Sequence, residues 1–282
     1  MNETPEFDSA LVAAAQAIQS ADALLVGAGA GMGVDSGLPD FRGAEGFWKA
    51  YPPFRGRRFA EISTPHWFTT DPKLAWGFFG HRLHLYVNAI PHDGFSILQR
   101  WAARMPQGHF VFTSNVDGQF NKAGFDPNHI LEIHGSIHWL QCLRGCGQQI
   151  WSSAAVRVDV DESTIRATST LPTCPTCFSL ARPNILMFGD SGWDESRCTG
   201  QVDRYKMWLS RLKGRRIVAI ELGAGLAIPT VRDECEFRSQ LLIRVNPRES
   251  ETAHGIALQL GALDALRRID TFIKEGLDGL RT

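Results

Sequence analysis

The sequence predicts an α/β fold: a doubly wound parallel sheet carrying a second, smaller unit. Short, continuously apolar runs recur along the chain, with segments of helical period between them. A glycine-rich loop directly follows the first of these runs. Two stretches, one aromatic and one bearing cysteine pairs, break the alternation and read as insertions.

Taken in order, Ser9 to Ala21 has the pattern of an amphipathic helix, and Ala23-Leu-Leu-Val26 that of a buried strand. The glycine loop runs from Gly27 to Gly37. Three further apolar runs predict buried parallel strands: His109 to Thr113, Arg216 to Glu221 and Leu241 to Val245. Helices are predicted over Leu74 to Val87, Gly94 to Arg104 and Ser196 to Lys213, with the last inside His254 to Lys274. Gly46 to Pro91, rich in aromatics and interrupted by Pro52-Pro53, reads as a helical insertion. Trp48, Trp67 and Trp76 within it are expected in a core. Cys142 to Arg182 reads as a small metal-stapled module with a β-like middle, Ala155 to Thr170.

Composition narrows the function. The chain has 282 residues, 44% hydrophobic and 21% charged, with a net charge of −1. That suits a globular protein with a sizeable core. No global field selects nucleic acid or an anionic membrane, so neither is expected as a partner. No stretch approaches the roughly 18 apolar residues of a membrane helix. The first residues carry neither a basic n-region nor an h-region, so a cytoplasmic protein is expected.

The glycine loop, Val26-Gly-Ala-Gly-Ala-Gly-Met-Gly-Val-Asp-Ser-Gly37, suits close approach of backbone N–H groups to a pyrophosphate. Strict G-x-G-x-x-G spacing fails from Gly27, Gly29 and Gly31, which leaves a plain small-residue turn as the alternative. Leu38-Pro-Asp-Phe-Arg-Gly43 then adds an acid, an aromatic and an arginine, none of which a plain turn needs. Cys142-x3-Cys146 and Cys174-x2-Cys177 have ligand spacing for a closed tetrahedral Zn²⁺ site, reduced free thiols being the alternative. Cys198 and Cys235 lie elsewhere and read as core thiols.

At Gly29 to Gly43 the chain resembles the sirtuins, the NAD-dependent protein deacylases. The resemblance continues through Thr113-Ser-Asn-Val-Asp-Gly118, Ala123-Gly124, Glu132-Ile-His-Gly-Ser136 and Arg182-Pro-Asn-Ile-Leu-Met-Phe-Gly189. Weaker matches are Gly223-Ala-Gly-Leu with Pro229, and Val245-Asn-Pro247. Order and spacing agree over about residues 10 to 270. The resemblance implies a Rossmann-like NAD-binding domain (1–45, 92–140 and 185–282), a helical module (46–91) and a zinc-binding module (141–184). It implies NAD as co-substrate, structural zinc on Cys142, Cys146, Cys174 and Cys177, and an acyl-lysine protein or peptide as substrate. The acyl oxygen attacks the ribose carbon that bears nicotinamide, giving nicotinamide and O-acyl-ADP-ribose.

Within that resemblance His134 is the base for a ribose hydroxyl, where a histidine near neutral pKa suits the task. Asn115 serves the ribose and a water, and Asp117 accepts from the nicotinamide amide. Both follow a buried strand, where ligands of α/β sheets bind, although an Asx turn explains the same residues. Gly29, Ala30, Gly31, Ser36, Asp40, Phe41, Arg42 and Ser114 belong to the cofactor site, with Phe41 shielding the ribose cation and Arg42 neutralising phosphate. Gly223, Gly225 and Asn246 lie by the phosphates and adenine ribose. Ile185, Leu186, Met187, Phe188 and Gly189 pair with the extended substrate as an added strand, or form a core strand. His138 packs or bonds locally.

Several positions depart from the family pattern: Gly33 for serine, Ser114 for glutamine, Phe120 for histidine, and Gly223-Ala-Gly225 for Gly-Thr-Ser or Gly-Ser-Ser. Diverged relatives that transfer ADP-ribose to protein can lack the catalytic histidine, and this chain keeps His134. Deacylation is therefore expected ahead of mono-ADP-ribosyl transfer, NAD hydrolysis or a non-catalytic interaction module. Sirtuins that favour negatively charged acyl groups carry a Tyr and an Arg three residues apart on a helix. The corresponding positions are His81 and His84, which implies acetyl or another neutral acyl group.

Overall fold

A computed structural model describes residues 5–39 and 43–275. The chain opens with α1 (Pro5–Gln19) and β1 (Ala23–Ala28), followed by two 3-10 turns, Ala30–Met32 and Val34–Ser36. Five helices come next: α2 (Gly43–Ala50), α3 (Phe59–Ile62), α4 (His66–Thr70), α5 (Pro72–Asn88) and α6 (Asp93–Ala102). Then come β2 (His109–Thr113), α7 (Gln119–Lys122), β3 (Ile130–Glu132) and β4 (Gly135–Cys142). The cysteine segment holds β5 (Trp151–Ser152), β6 (Val160–Asp161), β7 (Arg166–Ala167) and β8 (Ala181–Ile185). The chain closes with α8 (Ser196–Ser210), β9 (Ile217–Leu222), α9 (Thr230–Arg238), β10 (Leu241–Val245), β11 (Ile256–Leu258) and α10 (Ala262–Glu275).

Six strands form one sheet in the order β11-β10-β9-β1-β2-β3, with every pairing parallel. Strand order reverses between β1 and β9, which makes the sheet doubly wound and puts its switch point there. β1 shows why its sequence is continuously apolar. Leu24 and Val26 enter the core under α1, α6 and α10, while Ala23 and Leu25 enter the core under α8 and α9. A strand covered on both faces has no solvent side to alternate toward. Each of these leucine and valine side chains contributes about 1.5–3 kcal/mol by leaving water.

β3 and β11 extend the sheet beyond the four strands predicted. β11 lies inside the segment predicted to contain the last helix, and α10 begins only at Ala262.

A second core joins the two insertions. Phe47, Tyr51, Trp76, Phe78 and Phe79 of the helical segment pack with Ile137, Leu140, Val158, Ile165, Ala181 and Ile185. Trp76 is fully buried and its indole N–H donates to the Ala181 carbonyl at 2.9 Å, while Trp48 and Trp67 lie against the same cluster. Arg166 forks onto Asp71, the N-cap of α5, with two bonds of 2.8 Å. β4 pairs antiparallel with β5 and β8 and not with the large sheet. The antiparallel unit starts at Gly135. Among the described residues no helix is long and apolar enough to cross a membrane.

Candidate active site and metal centre

The switch point is closed by backbone on backbone. Gly29 N–H donates to the Leu222 carbonyl at 3.0 Å, and Gly31 N–H to the Gly223 carbonyl at 3.1 Å. A Cβ on Gly29 would lie 2.6 Å from Ala224 Cα, and one on Gly223 would lie 2.4 Å from Gly31 Cα. Gly223 also has φ +61°, in the left-handed region. The loops after β1 and β9 thus meet where only glycine fits, in the crevice where doubly wound sheets take ligands. Ala30 opens the first 3-10 turn, and the Ser36 hydroxyl accepts the His92 N–H at 3.1 Å. Asp40, Phe41 and Arg42 lie outside the described residues.

β2 delivers the next group from its C-terminal end. Thr113 Oγ1 donates to the Ala28 carbonyl at 2.9 Å and accepts the Asn115 N–H at 3.0 Å. The Asn115 carboxamide donates to the Gly29 carbonyl at 2.9 Å. Ser114 N–H donates to the Ala28 carbonyl at 3.1 Å, which ties the same turn to β1. Asp117 is buried, and its Oδ1 accepts the Gln119 N–H at 2.9 Å, so the Asx turn is real. Burial pushes its carboxyl up to about 6, against the Gln119 N–H; the Glu132 charge adds to the rise and Arg82 opposes it. His138 Nε2 lies 2.9 Å from the Asp117 carbonyl, a contact that assigns its hydrogen to Nε2 and makes it a local brace.

His134 sits in the two-residue turn between β3 and β4. Gly135 has φ +76°, and a Cβ there would lie 2.1 Å from the Asn184 carbonyl, so the turn is pressed against β8. The imidazole is half-buried. Burial holds its pKa below the ordinary histidine value, with the Ser114 backbone acting the other way. At neutral pH the ring is therefore uncharged and able to take a proton. Beside it, buried Glu132 pairs with Arg197 and receives its own backbone support from Gln201 at 3.1 Å.

The segment after β8 is held from both sides. Leu186 N–H donates to the His134 carbonyl at 3.0 Å, and Phe188 N–H to the Ser63 carbonyl at 3.0 Å. Met187 N–H donates to Asp190 Oδ2 at 3.3 Å. Buried Arg182 pairs with Asp190 and donates to the Ile185 carbonyl at 2.7 Å. Asp190 was not singled out from the sequence; its signal was an acid one residue beyond the Arg182–Gly189 motif. Ile185 is the last strand residue and Met187 is buried, whereas Leu186 and Phe188 are 38% and 39% exposed. Gly189 has φ +67° and turns the chain away.

Asn246 is fully buried after β10. It donates to the Ala224 carbonyl at 2.8 Å, and its Oδ1 accepts the N–H groups of Arg248 and Glu249, each at 3.0 Å. It shapes the loop that carries Gly223 and Gly225.

The Sγ atoms of Cys142, Cys146, Cys174 and Cys177 all lie within 4.8 Å of one another, with Cys142–Cys177 and Cys146–Cys174 at 3.6 Å. Four thiolates around Zn²⁺ at 2.3 Å would sit about 3.8 Å apart, whereas a disulfide needs about 2.05 Å. The donor set fits a closed tetrahedral zinc centre with no position for substrate. Cys198 and Cys235 are buried elsewhere, as expected.

His81 and His84, matched from the sequence to the positions of an acid-selective Tyr and Arg on α5, do not share one environment. His84 is exposed, and His81 Nδ1 meets the Tyr51 hydroxyl at 3.0 Å. The buried cation of that helix is Arg82, which donates to the Tyr86 hydroxyl at 3.0 and 2.8 Å beneath the rings of Phe59, Phe78 and Phe79. Consecutive helix positions point about 100° apart, so a slip of one residue moves the reading to a different face.

Residues 29–206 match the family model described as the Sir2 family. A protein of Leptospira interrogans (serovar copenhageni) named NAD-dependent protein deacylase is 29% identical over 82% of this chain and 84% of its own length. One of Aquifex aeolicus with the same name is 32% identical over 58% of this chain and 60% of its own. Among solved structures, a Sir2 homolog–NAD complex superposes with a TM-score of 0.68 at 22% identity, covering 93% of each chain. A Sir2 with a deacetylated p53 peptide and 3'-O-acetyl ADP ribose gives 0.64 at 21% identity, covering 94% of this chain and 97% of that one. At such identities the structures share the fold.

Proposed function

The chain belongs to the Sir2 family, and from that premise we propose that its cleft removes acyl groups from protein lysine, consuming NAD as co-substrate. The observation that carries this reading is the convergence at one crevice of His134, Asn115, Asp117 and the Gly29–Gly31 loop, from three separate stretches of sequence. NAD supplies a ribose whose bond to nicotinamide is broken.

The residues divide the work as follows. Gly29, Ala30 and Gly31, with Gly223 and Gly225 opposite, bring backbone within reach of the pyrophosphate. Asn246 shapes the loop on the adenine-ribose side. Asn115, fixed by Thr113 and Gly29, orients the ribose and a water. Asp117 has Oδ1 engaged by Gln119 and offers Oδ2 to the nicotinamide amide. Neutral His134 takes a proton from a ribose hydroxyl. Ser36 belongs to the loop, and Ser114 stands where a glutamine ribose ligand is usual. We assign Asp40, Phe41 and Arg42 to the covering segment from the sequence resemblance alone.

The acyl-lysine segment enters along Ile185 to Gly189 as an added strand. Since the amides of Leu186, Met187 and Phe188 are already bonded, this edge offers its carbonyls. Leu186 and Phe188 are exposed to meet substrate side chains. We assign the acyl group as acetyl or another neutral group. Arg82 is already engaged by Tyr86 under three rings, and a carboxylate tail would have to displace that arrangement. Turnover of acetyl, longer neutral and succinyl peptides tests this, and a clear succinyl preference contradicts it.

The zinc cluster braces the small lobe. The chain divides by its cores: the large-sheet domain, and a lobe in which the helical and zinc segments pack together. A cytoplasmic setting agrees with six cysteines of which none is in a disulfide. The direct test is calorimetry with His134→Ala. Retained NAD uptake with turnover lost supports the assignment, and unchanged turnover contradicts it.

A further inference from the structure

We infer that His92 is a positioning residue for cofactor uptake: it clamps the loop of residues 30–36 to the start of α6 in the shape that receives NAD. The inference rests on the NAD reading of that loop and deepens it.

His92 reaches the loop twice. Its Nε2 lies 2.9 Å from the Met32 carbonyl, and its backbone N–H donates to Ser36 Oγ at 3.1 Å. On the other side of the ring, Nδ1 accepts the Gly94 N–H at 3.0 Å and caps α6. One ring nitrogen faces a carbonyl and the other an N–H, so only the neutral Nε2–H tautomer satisfies both. The ring is seated as well as bonded. Its centroid is 4.9 Å from that of Phe95, and a Cβ on Gly94 would lie 2.6 Å from His92 Cε1.

Around the ring stand Asp35 on the loop, Asp93 on α6 and Arg267 on α10, the last two paired at 2.7 Å. Burial holds the imidazole pKa below its ordinary value, although the Met32 carbonyl, Asp35 and Asp93 favour the charged form. The loop is thus fixed at two ends. Gly29 and Gly31 bond it to the β9 side, and His92 bonds its middle and far end to α6. Pre-forming a loop removes its ordering cost from ligand binding, so loosening one anchor lowers affinity.

Side-chain length separates this role from helix capping. Gln at position 92 reaches toward Met32 but leaves the Gly94 N–H uncapped. Asn restores the cap and falls short of Met32. NAD titration of the full chain, with melting temperature and the KM and kcat for NAD, is measured for the wild type, His92→Gln, His92→Asn and His92→Ala. We expect Ala and Asn to weaken NAD binding about tenfold, with kcat at saturating NAD within about twofold and Gln within about threefold of wild-type affinity. Melting temperature should separate the variants differently, lowered in Ala and Gln, which leave the Gly94 N–H uncapped, and recovered in Asn. Affinity that tracks stability, or that stays at the wild-type level in Asn, overturns the inference. Should Ala fail to fold, the Asn and Gln pair decides. A wild-type chain that takes up no NAD defeats the cofactor reading itself, before any variant is compared.

Discussion

The Asn115 carboxamide is bonded to the Gly29 carbonyl at 2.9 Å, so the turn that follows β2 is oriented by the loop that follows β1. The two strands are neighbours in the sheet, and the bond spans their C-terminal ends. Asn115→Asp replaces the donor with a carboxylate facing a carbonyl. We expect kcat/KM for NAD to fall by about 10²–10³ with the melting temperature little changed. Equal activity in steady-state assays contradicts the assigned orientation.

Asp117 couples stability to pH. Its folded pKa, about 6, lies above the ordinary carboxylate value, so its contribution is present at low pH and is lost as pH rises through about 6. Asp117→Asn therefore stabilises the protein above pH 7, by about 1–3 kcal/mol, while lowering turnover. Denaturant unfolding at pH 5 and pH 8 checks the sign. A gain that is larger at pH 5 contradicts it.

The His134 pKa is depressed by burial, so the ring stays neutral down to pH values below the ordinary histidine range. The acid limb of kcat/KM should lie at correspondingly low pH and not near 6.5, the ordinary value for histidine. A pH profile of kcat/KM at limiting NAD measures it. Activity that rises on acidification contradicts a basic role.

Cys174 is fully buried in the thiol cluster. Cys174→Ser should release the metal, melt the small lobe and abolish turnover together. Metal analysis alongside near-ultraviolet circular dichroism reads this. Full activity in a metal-free variant contradicts a structural centre.

Asp270 ties α10 to α6, accepting from Trp101 Nε1 at 3.0 Å and from Arg100 at 2.7 Å. Burial alone would raise its pKa; Lys274, Trp101 and Arg100 together hold it below the ordinary value. Its contribution is therefore present at neutral pH and lost as pH falls through the acid range. Asp270→Ala should cost about 2–3 kcal/mol at pH 7, read by denaturant unfolding. A penalty that persists undiminished at pH 3 contradicts the linkage.

Legibility in the sequence followed burial and spacing. β1, β2, β9 and β10 were readable because successive residues such as Ala219 and Ile220 are buried on opposite faces of the sheet. β3 and β11 have only three residues, too few to show a period, and the exposed Ala257 breaks the second. The four cysteines were readable because metal geometry constrains their spacing. The roles of Asn115 and His134 came from motif likeness, and the structure adds what holds them. His92 was silent because its partners lie 56 and 60 positions away. His81 and His84 differ in burial, which a linear stretch does not reveal because it does not show which helix face turns inward.

Mass spectrometry of the products from NAD and an acetyl-lysine peptide tests deacylation most directly. Nicotinamide and O-acetyl-ADP-ribose are expected in equal amounts, with both absent for His134→Ala. Free ADP-ribose with the peptide still acetylated, or ADP-ribose attached to protein, contradicts it.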